Sequence, residues 1–426
     1  MPLSPLHTMM NGLLEQRASR SALRSLRTAP PSSVDFSSND FLSLSSSPVF
    51  RTAFLQELAA HPNFKIGSGG SRLLDGNSVY AEELEREVAA FHGAEAALLF
   101  NSGFDANAGF FSCVPQPGDT IFYDDQIHAS VHEGMRLSRA GEKVSFAHNS
   151  VEDLRTKLTE CIQQDTLIIQ GRRNVFVAVE ALYSMDGDLA PIEAIVELVE
   201  KLLPGGNGHV VVDEAHSNGV YGFQGRGIVC SLGLESRIFA RLHTFGKGLA
   251  CSGAMMLCSL LTREYLINYA RPLIYTTSIS FPSLAAIKVV YSLMKQGQTQ
   301  HLITKLNELI DHLYSRLETL EIPTKMYNGV RKQALEIPLQ KPQSPIFSLI
   351  TPEPRSLAKY CQDNGFVVRP IVPPTVPKGT ERVRVCLHSG NTILDIEGLI
   401  GKIGEWLRRA DRVTMTGPKL KFKSAL

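Results

Sequence analysis

The sequence lacks the features that mark membrane, nucleic-acid-binding and disulfide-rich proteins. None of its apolar runs reaches the roughly 18 residues that a membrane-spanning helix needs. The formal net charge is +1, with 43 Lys and Arg against 42 Asp and Glu, so no surface for nucleic acid or anionic lipid is indicated. The seven cysteines form no CxxC pair and no metal-ligand spacing, which favours free thiols in a reducing compartment. The 426 residues are enough for a large core and about two or three domains.

Both ends of the chain carry weak targeting features. The first 28 residues contain a single acid, Glu15, and four arginines, which is a composition that transit peptides share: Arg17, Arg20, Arg24 and Arg27. Residues 11–26 also predict an amphipathic helix of the mature protein, which is the interpretation we favour. The chain ends in Ser-Ala-Leu, with Ala425 where a peroxisomal signal has a basic residue. We expect a cytoplasmic protein, with the peroxisome as the alternative.

The middle of the chain alternates helix-like and strand-like segments. Residues 78–93 predict a capped amphipathic helix that stops at Gly93. Several runs are apolar without alternation, as strands covered on both faces are: 94–100, 120–125, 174–181, 209–215 and 237–245. Repeated β-turn-α units predict an α/β fold with a large, doubly wound and mostly parallel sheet. Its site should lie beyond the carboxyl ends of the strands.

The remainder of the chain predicts a smaller unit. From about residue 292, long helical stretches and short strands such as 383–390 favour an α+β domain, with a surface loop at 325–343 and a tail over the last sixteen residues. We therefore expect an N-terminal helix and arm at 1–45, a large domain at 46–291, and a small C-terminal domain with tail at 292–426.

Polar residues cluster where the predicted strands end. Lys247 lies between two glycines in "TFGKG". Glycines are typical of backbone bends and close approach, and not of a solvated lysine's surroundings. Asp213, His216, Glu180, Ser184 and His128 follow other strands, and Gly103 and Phe104 begin a helix whose free N–H groups can bind an anion. Taken singly, each has a plain explanation: a solvated lysine, a helix-capping aspartate, structural histidines, turn hydroxyls and turn glycines.

One ligand accounts for the whole set. Pyridoxal phosphate (PLP) needs a lysine amine for a Schiff base, a carboxylate for its protonated ring nitrogen, a flat side chain against its ring and a cradle for its phosphate. Lys247 is the candidate for the amine. "KIGSGGSR" resembles a nucleotide loop only superficially, because no strand precedes it.

Several collinear motifs resemble those of the α-oxoamine synthases, which are fold-type I PLP-dependent transferases. They run from about residue 14 to 400, in family order: "FSSNDFLSLS", "GSGGSRLLDG", "NSGFDANAG", "IHAS", "YSMDGDLAPI", "VDEAHSNGVYG", "TFGKG", "RPLIYTTS" and "PPTVPKGTERVRV". The resemblance implies that fold, PLP as cofactor, an amino acid and an acyl-CoA as substrates, and a homodimer whose sites draw on two subunits. No metal is implied.

The resemblance also implies roles for individual residues. Lys247 carries the cofactor, Asp213 pairs with its ring nitrogen and His128 stacks on its face, while Ser184 and His216 bind its ring oxygen or nearby atoms. The phosphate is held by Gly103, Phe104 and Thr244, and by Thr277 of the other subunit. The substrate side comprises Arg24, Asn39, Thr375 and Arg384, of which Arg384 clamps the amino-acid carboxylate.

Two departures from the family affect the acyl side. The strand pair that usually follows the N-terminal helix is missing, and Val372 stands where relatives often carry Arg before "PPTVP".

Three functional interpretations remain. The first is condensation of L-alanine with pimeloyl-CoA or a pimeloyl carrier thioester, and the second is a sibling condensation of glycine, serine or alanine with another acyl-CoA. The third is a non-catalytic protein that kept the fold. The retained lysine, aspartate and histidines disfavour the last.

Overall fold

The computed structural model describes residues 4–20, 23–26, 28–327 and 329–415. The helices are α1 Pro5–Ser19, α2 Pro48–Ala60, α3 Val79–Phe91, α4 Gly103–Cys113, α5 Ala129–Leu137, α6 Val151–Gln164, α7 Thr166–Ile169, α8 Ile192–Leu202, α9 Ile228–Ser231, α10 Leu260–Tyr269, α11 Arg271–Ile274, α12 Phe281–Lys295, α13 Gln300–Glu318, α14 Pro354–Asp363 and α15 Ile393–Met415. The strands are β1 Val34–Asp35, β2 Ala96–Phe100, β3 Thr120–Asp124, β4 Glu142–Phe146, β5 Val175–Glu180, β6 Gly208–Asp213, β7 Ala240–Thr244, β8 Ala254–Cys258, β9 Thr324–Tyr327, β10 Val330–Gln333, β11 Ile346–Ile350, β12 Phe366–Val367, β13 Arg369–Ile371 and β14 Arg382–Cys386.

The large sheet has seven strands in the order β2-β8-β7-β6-β5-β3-β4. All neighbouring pairs are parallel except those of β8, which runs antiparallel to both β2 and β7. The predicted doubly wound, mostly parallel α/β fold is confirmed. β4 and β8 were absent from the sequence-based prediction. β4 is largely exposed, while β8 follows the glycine-rich stretch around Lys247.

The sheet is covered on both faces, which explains its continuous apolar strands. Leu98 belongs to an apolar cluster that includes Phe110 of α4, whereas its neighbour Leu99 belongs to a second cluster that includes Val88 of α3. Successive side chains of a strand point to opposite faces, so both must be apolar when each face packs against helices. Alternation is lost for that reason.

The C-terminal part contains an antiparallel sheet of order β11-β14-β13, packed with α13, α14 and α15. The predicted boundary between residues 291 and 292 falls inside α12, and the three-part division of the chain stays a prediction. β1 pairs in parallel with β12, so the short N-terminal arm is joined to this C-terminal part.

Three local predictions are corrected. The helix predicted at 11–26 is α1, Pro5–Ser19, and the described residues 23–26 are not helical. The surface loop predicted at 325–343 contains most of a β9–β10 hairpin, followed by the buried residues Ala334 and Leu335. The predicted tail begins within α15, whereas the terminal Ser-Ala-Leu lies outside the described residues.

Within the described part of the chain, no helix combines the length and apolarity that crossing a bilayer requires.

A buried carboxylate fixes the turn that follows β6. Glu214 is fully buried, and its carboxylate accepts hydrogen bonds from the backbone N–H groups of Ile228 (2.7 Å) and Val229 (3.0 Å) and from the Ser217 hydroxyl. Gly227 passes directly over this carboxylate with a φ of +95°. The turn is thereby tied to α9, which limits the freedom of the residues on either side of Glu214.

Gly227→Ala is expected to lower the free energy of unfolding by about 2–4 kcal/mol, because the new methyl group would collide with Glu214 in a left-handed backbone conformation. Gly171→Ala is the matched control, since Gly171 has a φ of +68° but nothing within 4 Å of the added atom. That change should cost about 1 kcal/mol from backbone strain alone. Urea unfolding of both variants measures the difference, and equal losses would show that Glu214 tolerates the methyl group.

Candidate active site

Three parallel strands deliver polar residues to one edge of the large sheet. β5 ends at Glu180, β6 at Asp213 and β7 at Thr244, and Glu180 is the direct register partner of Asp213. Carboxyl ends of parallel strands share one edge, so the loops that follow them converge there. The predicted clustering of Lys247, Asp213, His216 and His128 at the strand ends is therefore what the structure shows.

Lys247 lies in a tight turn between β7 and β8. The backbone N–H of Ala250 donates to the Lys247 carbonyl (2.9 Å), and that of Cys251 donates to Phe245 (2.7 Å). Ala250 takes a φ of 51°, which a residue with a side chain seldom adopts. The turn aims Nζ of Lys247 at His216, whose Nε2 lies 2.9 Å away. Burial lowers the pKa of Lys247, against the opposing charge of Asp213.

Asp213 is held by a short chain of polar side chains. Its Oδ2 accepts from Nδ2 of Asn107 (2.9 Å), and its Oδ1 accepts from the backbone N–H of Ala215 (2.8 Å). The same Asn107 amide donates to the Ser130 hydroxyl (2.9 Å), which lies 2.8 Å from Nδ1 of His128. Turns and not a helix follow Asp213, so its carboxylate is no helix cap but a group fixed at a cavity wall.

His216 is deeply buried beside these charges. Burial and the positive charges of Lys247 and Arg384 hold the pKa of His216 well below its ordinary range, so the ring stays neutral. Its Nδ1 is buried and has no hydrogen-bond partner among the described residues. An unpaired buried ring nitrogen is costly, and a polar atom of a bound group would remove that cost.

An inner cavity of about 260 Å³ lies between these residues and the start of α4. It is lined by Asp213, His128, Lys247, Thr244, Gly103 and Phe104, among others. The first backbone N–H groups of a helix have no carbonyl partner within it, so the start of α4 offers donors to an anion. A side chain at position 103 would meet the Thr244 methyl group at 2.5 Å, which explains why glycine stands there.

An outer cavity of about 890 Å³ adjoins the first, because Lys247, His128 and Glu180 line both. Its wall includes Ser184, His216 and the predicted substrate residues Asn39, Thr375 and Arg384. Arg384, on β14, donates from Nε to the Ser184 carbonyl (2.6 Å) and from Nη2 to Oδ1 of Asn39 (2.9 Å). These bonds fix its guanidinium, as binding a carboxylate requires.

Two predicted site residues lie elsewhere. Arg24 is exposed and lines neither cavity. Thr277 is exposed too, and its carbonyl accepts from Nδ2 of Asn101 (2.7 Å), just before α4. Its predicted contact with a second subunit stays a prediction.

Sequence reasoning missed Asn107 and Ser130, and it named Glu180 without a role. A signal for Asn107 existed, because an amide in the otherwise apolar helix "GFDANAGFF" needs a buried partner. Ser130 gave no such signal.

These residues fit PLP on observations of the structure itself. The inner cavity offers an amine at Lys247, a fixed carboxylate at Asp213, an unpaired buried nitrogen on His216, and a helix start kept free of side-chain bulk by Gly103. Each matches one part of the cofactor: its aldehyde, its ring nitrogen, its ring oxygen and its phosphate.

The comparisons with known proteins agree with this geometry. The family model described as aminotransferase class I and II matches residues 31–403. The chain is 54% identical to an 8-amino-7-oxononanoate synthase of Emericella nidulans over 408 residues, covering 96% of this chain and 97% of that protein. It is 38% identical to the aminoacyl transferase sphA of Aspergillus fumigatus, covering 92% and 84%. A serine palmitoyltransferase structure from Sphingomonas wittichii superposes with a TM-score of 0.80 at 24% identity, covering 96% and 100%, which shows a common fold.

Lys247 is expected to lose its proton at a lower pH than an exposed lysine, because burial lowers its pKa. Competitive acylation of the cofactor-free protein, read by peptide mass spectrometry across pH, measures this against the exposed Lys65. Asp213→Asn should lower the pH at which acylation of Lys247 is half-maximal still further, because the Asp213 charge favours the ammonium form. Equal midpoints for Lys247 and Lys65 would mean that the amine is solvated.

Proposed function

The chain belongs to the class I and II aminotransferase family and, within it, to the PLP-dependent α-oxoamine synthases, and from this we propose that it condenses L-alanine with a pimeloyl thioester. The products are 8-amino-7-oxononanoate, CO2 and the free thiol carrier, as in biotin biosynthesis. The observation that carries the proposal is the position of Lys247, at the junction of a cofactor-sized inner cavity and an outer cavity that contains a fixed arginine. The relative that is 54% identical supports this pair of substrates.

The cofactor of this enzyme is PLP, which when bound withdraws electrons from the substrate Cα. We assign its binding to the inner cavity. Lys247 holds the cofactor aldehyde, Asp213 holds the proton on the ring nitrogen, and His128 covers the ring face. His216 and Ser184 bind the ring oxygen side. The start of α4, with Gly103, Phe104 and Thr244, holds the phosphate.

Lys247 also moves the proton at Cα. A buried amine with a lowered pKa gives up its proton more readily than a solvated lysine does, and Nζ lies where the two cavities meet. His216 stays neutral, so it can orient the amine through its 2.9 Å contact without competing for the proton. Asn107 keeps Asp213 in place while charge develops at the substrate. Lys247 returns a proton to Cα after CO2 leaves.

Arg384 binds the amino-acid carboxylate. Its guanidinium is fixed by the Ser184 carbonyl and Asn39, and it faces the outer cavity that Lys247 also lines. A fixed fork orients a carboxylate better than a mobile ammonium does. The amino acid is thereby held with Cα toward Lys247.

The acyl thioester approaches over a basic groove of about 1040 Å³, which shares Pro373, Pro374 and Lys378 with the outer cavity. Other basic residues of the groove include Arg17 and Arg20 from the end of α1 and Lys332 from β10. Its acid Glu381 already accepts a bond from the Gly379 N–H (2.9 Å). This wall suits an anionic thioester, so Arg17 and Arg20 replace Arg24 as the N-terminal arginines of the acyl side.

The family resemblance further supports a homodimer, with Thr277 at the phosphate of the second subunit. The relative named aminoacyl transferase sphA favours one alternative: a sibling condensation with a different amino acid or acyl chain. Both reactions use the same inner cavity and differ in what the outer cavity admits.

Mass spectrometry of products from a panel of amino acids and acyl thioesters tests the reaction. The PLP-loaded protein is expected to form 8-amino-7-oxononanoate from L-alanine and pimeloyl-CoA, with a kcat/KM at least about tenfold above that for glycine, serine or palmitoyl-CoA. Borohydride should fix the cofactor on the peptide that contains Lys247. Preference for serine with a long acyl chain would establish the sibling reaction, and fixation on another lysine would refute the assigned site.

A second test separates the two sets of N-terminal arginines. The double variant Arg17→Gln/Arg20→Gln should raise KM for pimeloyl-CoA by about tenfold, since the two lost contacts to an anion at a wetted surface together cost roughly 1.4 kcal/mol. KM for L-alanine should change little, because Arg384 binds that substrate. Arg24→Gln is the matched control with a smaller expected effect. A larger effect from Arg24→Gln would return the acyl site to Arg24.

A further inference from the structure

Glu180 is a second buried carboxyl group directly beside Asp213. It ends β5 in register with Asp213 on β6, and the two residues are 4% and 8% exposed. Side chains at the same register of neighbouring parallel strands point to the same face. Glu180 lines both the inner and the outer cavity. Two adjacent buried carboxylates repel each other strongly, so they cannot both be ionised without cost.

The hydrogen bonds decide which of the two keeps the charge. Asp213 accepts two bonds, from the Asn107 amide and the Ala215 N–H, which stabilise an anion. The backbone N–H of His128 interacts with the Glu180 carboxyl, and a neutral carboxyl can also accept from this group through its carbonyl oxygen. Burial first, and then the Asp213 charge, raise the pKa of Glu180 well above its ordinary value.

We propose that Glu180 is a positioning residue that works as an uncharged carboxylic acid, holding the His128 backbone at the cavity wall without placing a second negative charge beside Asp213. The single anion of the inner cavity is then Asp213. The proposed cofactor chemistry suits that arrangement, because Asp213 is then the one carboxylate that pairs with the protonated ring nitrogen.

Charged and titratable groups surround Glu180 on every packed element. They are Asp213 on β6, Lys247 after β7, His128 before α5, Asp124 on β3, Tyr183 after β5, and His216 and Arg384 in the outer cavity. Comparing the wild type with a variant that changes only Glu180 keeps these groups constant. The amide of Glu180→Gln has the shape of the neutral acid and cannot ionise.

The first experiment measures urea unfolding of the cofactor-free protein and of Glu180→Gln between pH 5.5 and 7.5. In this window folded Glu180 keeps its proton, whereas the unfolded chain has lost it, so unfolding releases a proton and wild-type stability falls as the pH rises, relative to the variant. The ratio of the two unfolding constants should change with pH in this window, by up to about tenfold for each pH unit. Glu160→Gln, an exposed control on α6, should show a constant ratio. A constant ratio for Glu180→Gln would overturn the proposal.

The second experiment measures PLP affinity by equilibrium titration of Glu180→Gln and Glu180→Leu. Gln keeps an acceptor for the His128 N–H, whereas Leu leaves that donor unpaired, so Leu should bind PLP at least about tenfold more weakly than Gln. Equal affinities would refute the positioning role. Only this second experiment rests on the proposed cofactor: a wild type that fails to bind PLP contradicts the proposed function, while the stability comparison still decides the state of Glu180. That comparison also stands if the Leu variant does not fold.

Discussion

The structure is organised around an ammonium and a carboxylate brought out of water at the carboxyl edge of a parallel sheet. Lys247 and Asp213 are costly to bury singly, and each is accommodated because the other is near. His216 adds a contact without adding charge, since burial between cations keeps it neutral. A pre-set electrostatic environment of this kind lets charge develop at the substrate without solvent rearrangement.

The surrounding fold keeps this small group in place through rigid connections. Strand register sets Asp213 opposite Glu180, and the Asn107 amide ties Asp213 to α4 and, through Ser130, to the start of α5. Glu214, one residue after Asp213, faces away from the cavity and holds the backbone of α9. Adjacent acids of one turn therefore serve different ends, one chemical and one structural.

The two cavities divide the work between cofactor and substrates. The inner cavity has the size and the donors for a phosphorylated pyridine, while the outer cavity has the arginine for an amino acid and opens along a basic groove. Family membership accounts for the inner cavity, because the residues that line it lie in motifs shared with the family. We propose that the choice of acyl chain depends on the outer cavity and on the basic groove beside it, which Val372 lines.

The sequence by itself predicted the fold class, the positions along the chain of β2, β3, β5, β6 and β7, and most of the residues that line the inner cavity. Continuous apolar strands and glycine-flanked Lys247 are local signals, and the collinear motifs supported the remaining assignments.

Only the tertiary structure decided which distant residues meet. Helix packing brings Asn107 and Ser130 to Asp213, and strand register sets Glu180 beside it, so the partners of these residues follow from the tertiary structure alone. The hairpin at β9–β10 and the buried strand β8 also escaped prediction, because their short segments gain their order from neighbours distant in the chain. Arg17 and Arg20 line the groove beside Lys332 of β10 and Arg24 does not, an arrangement that only the tertiary structure shows.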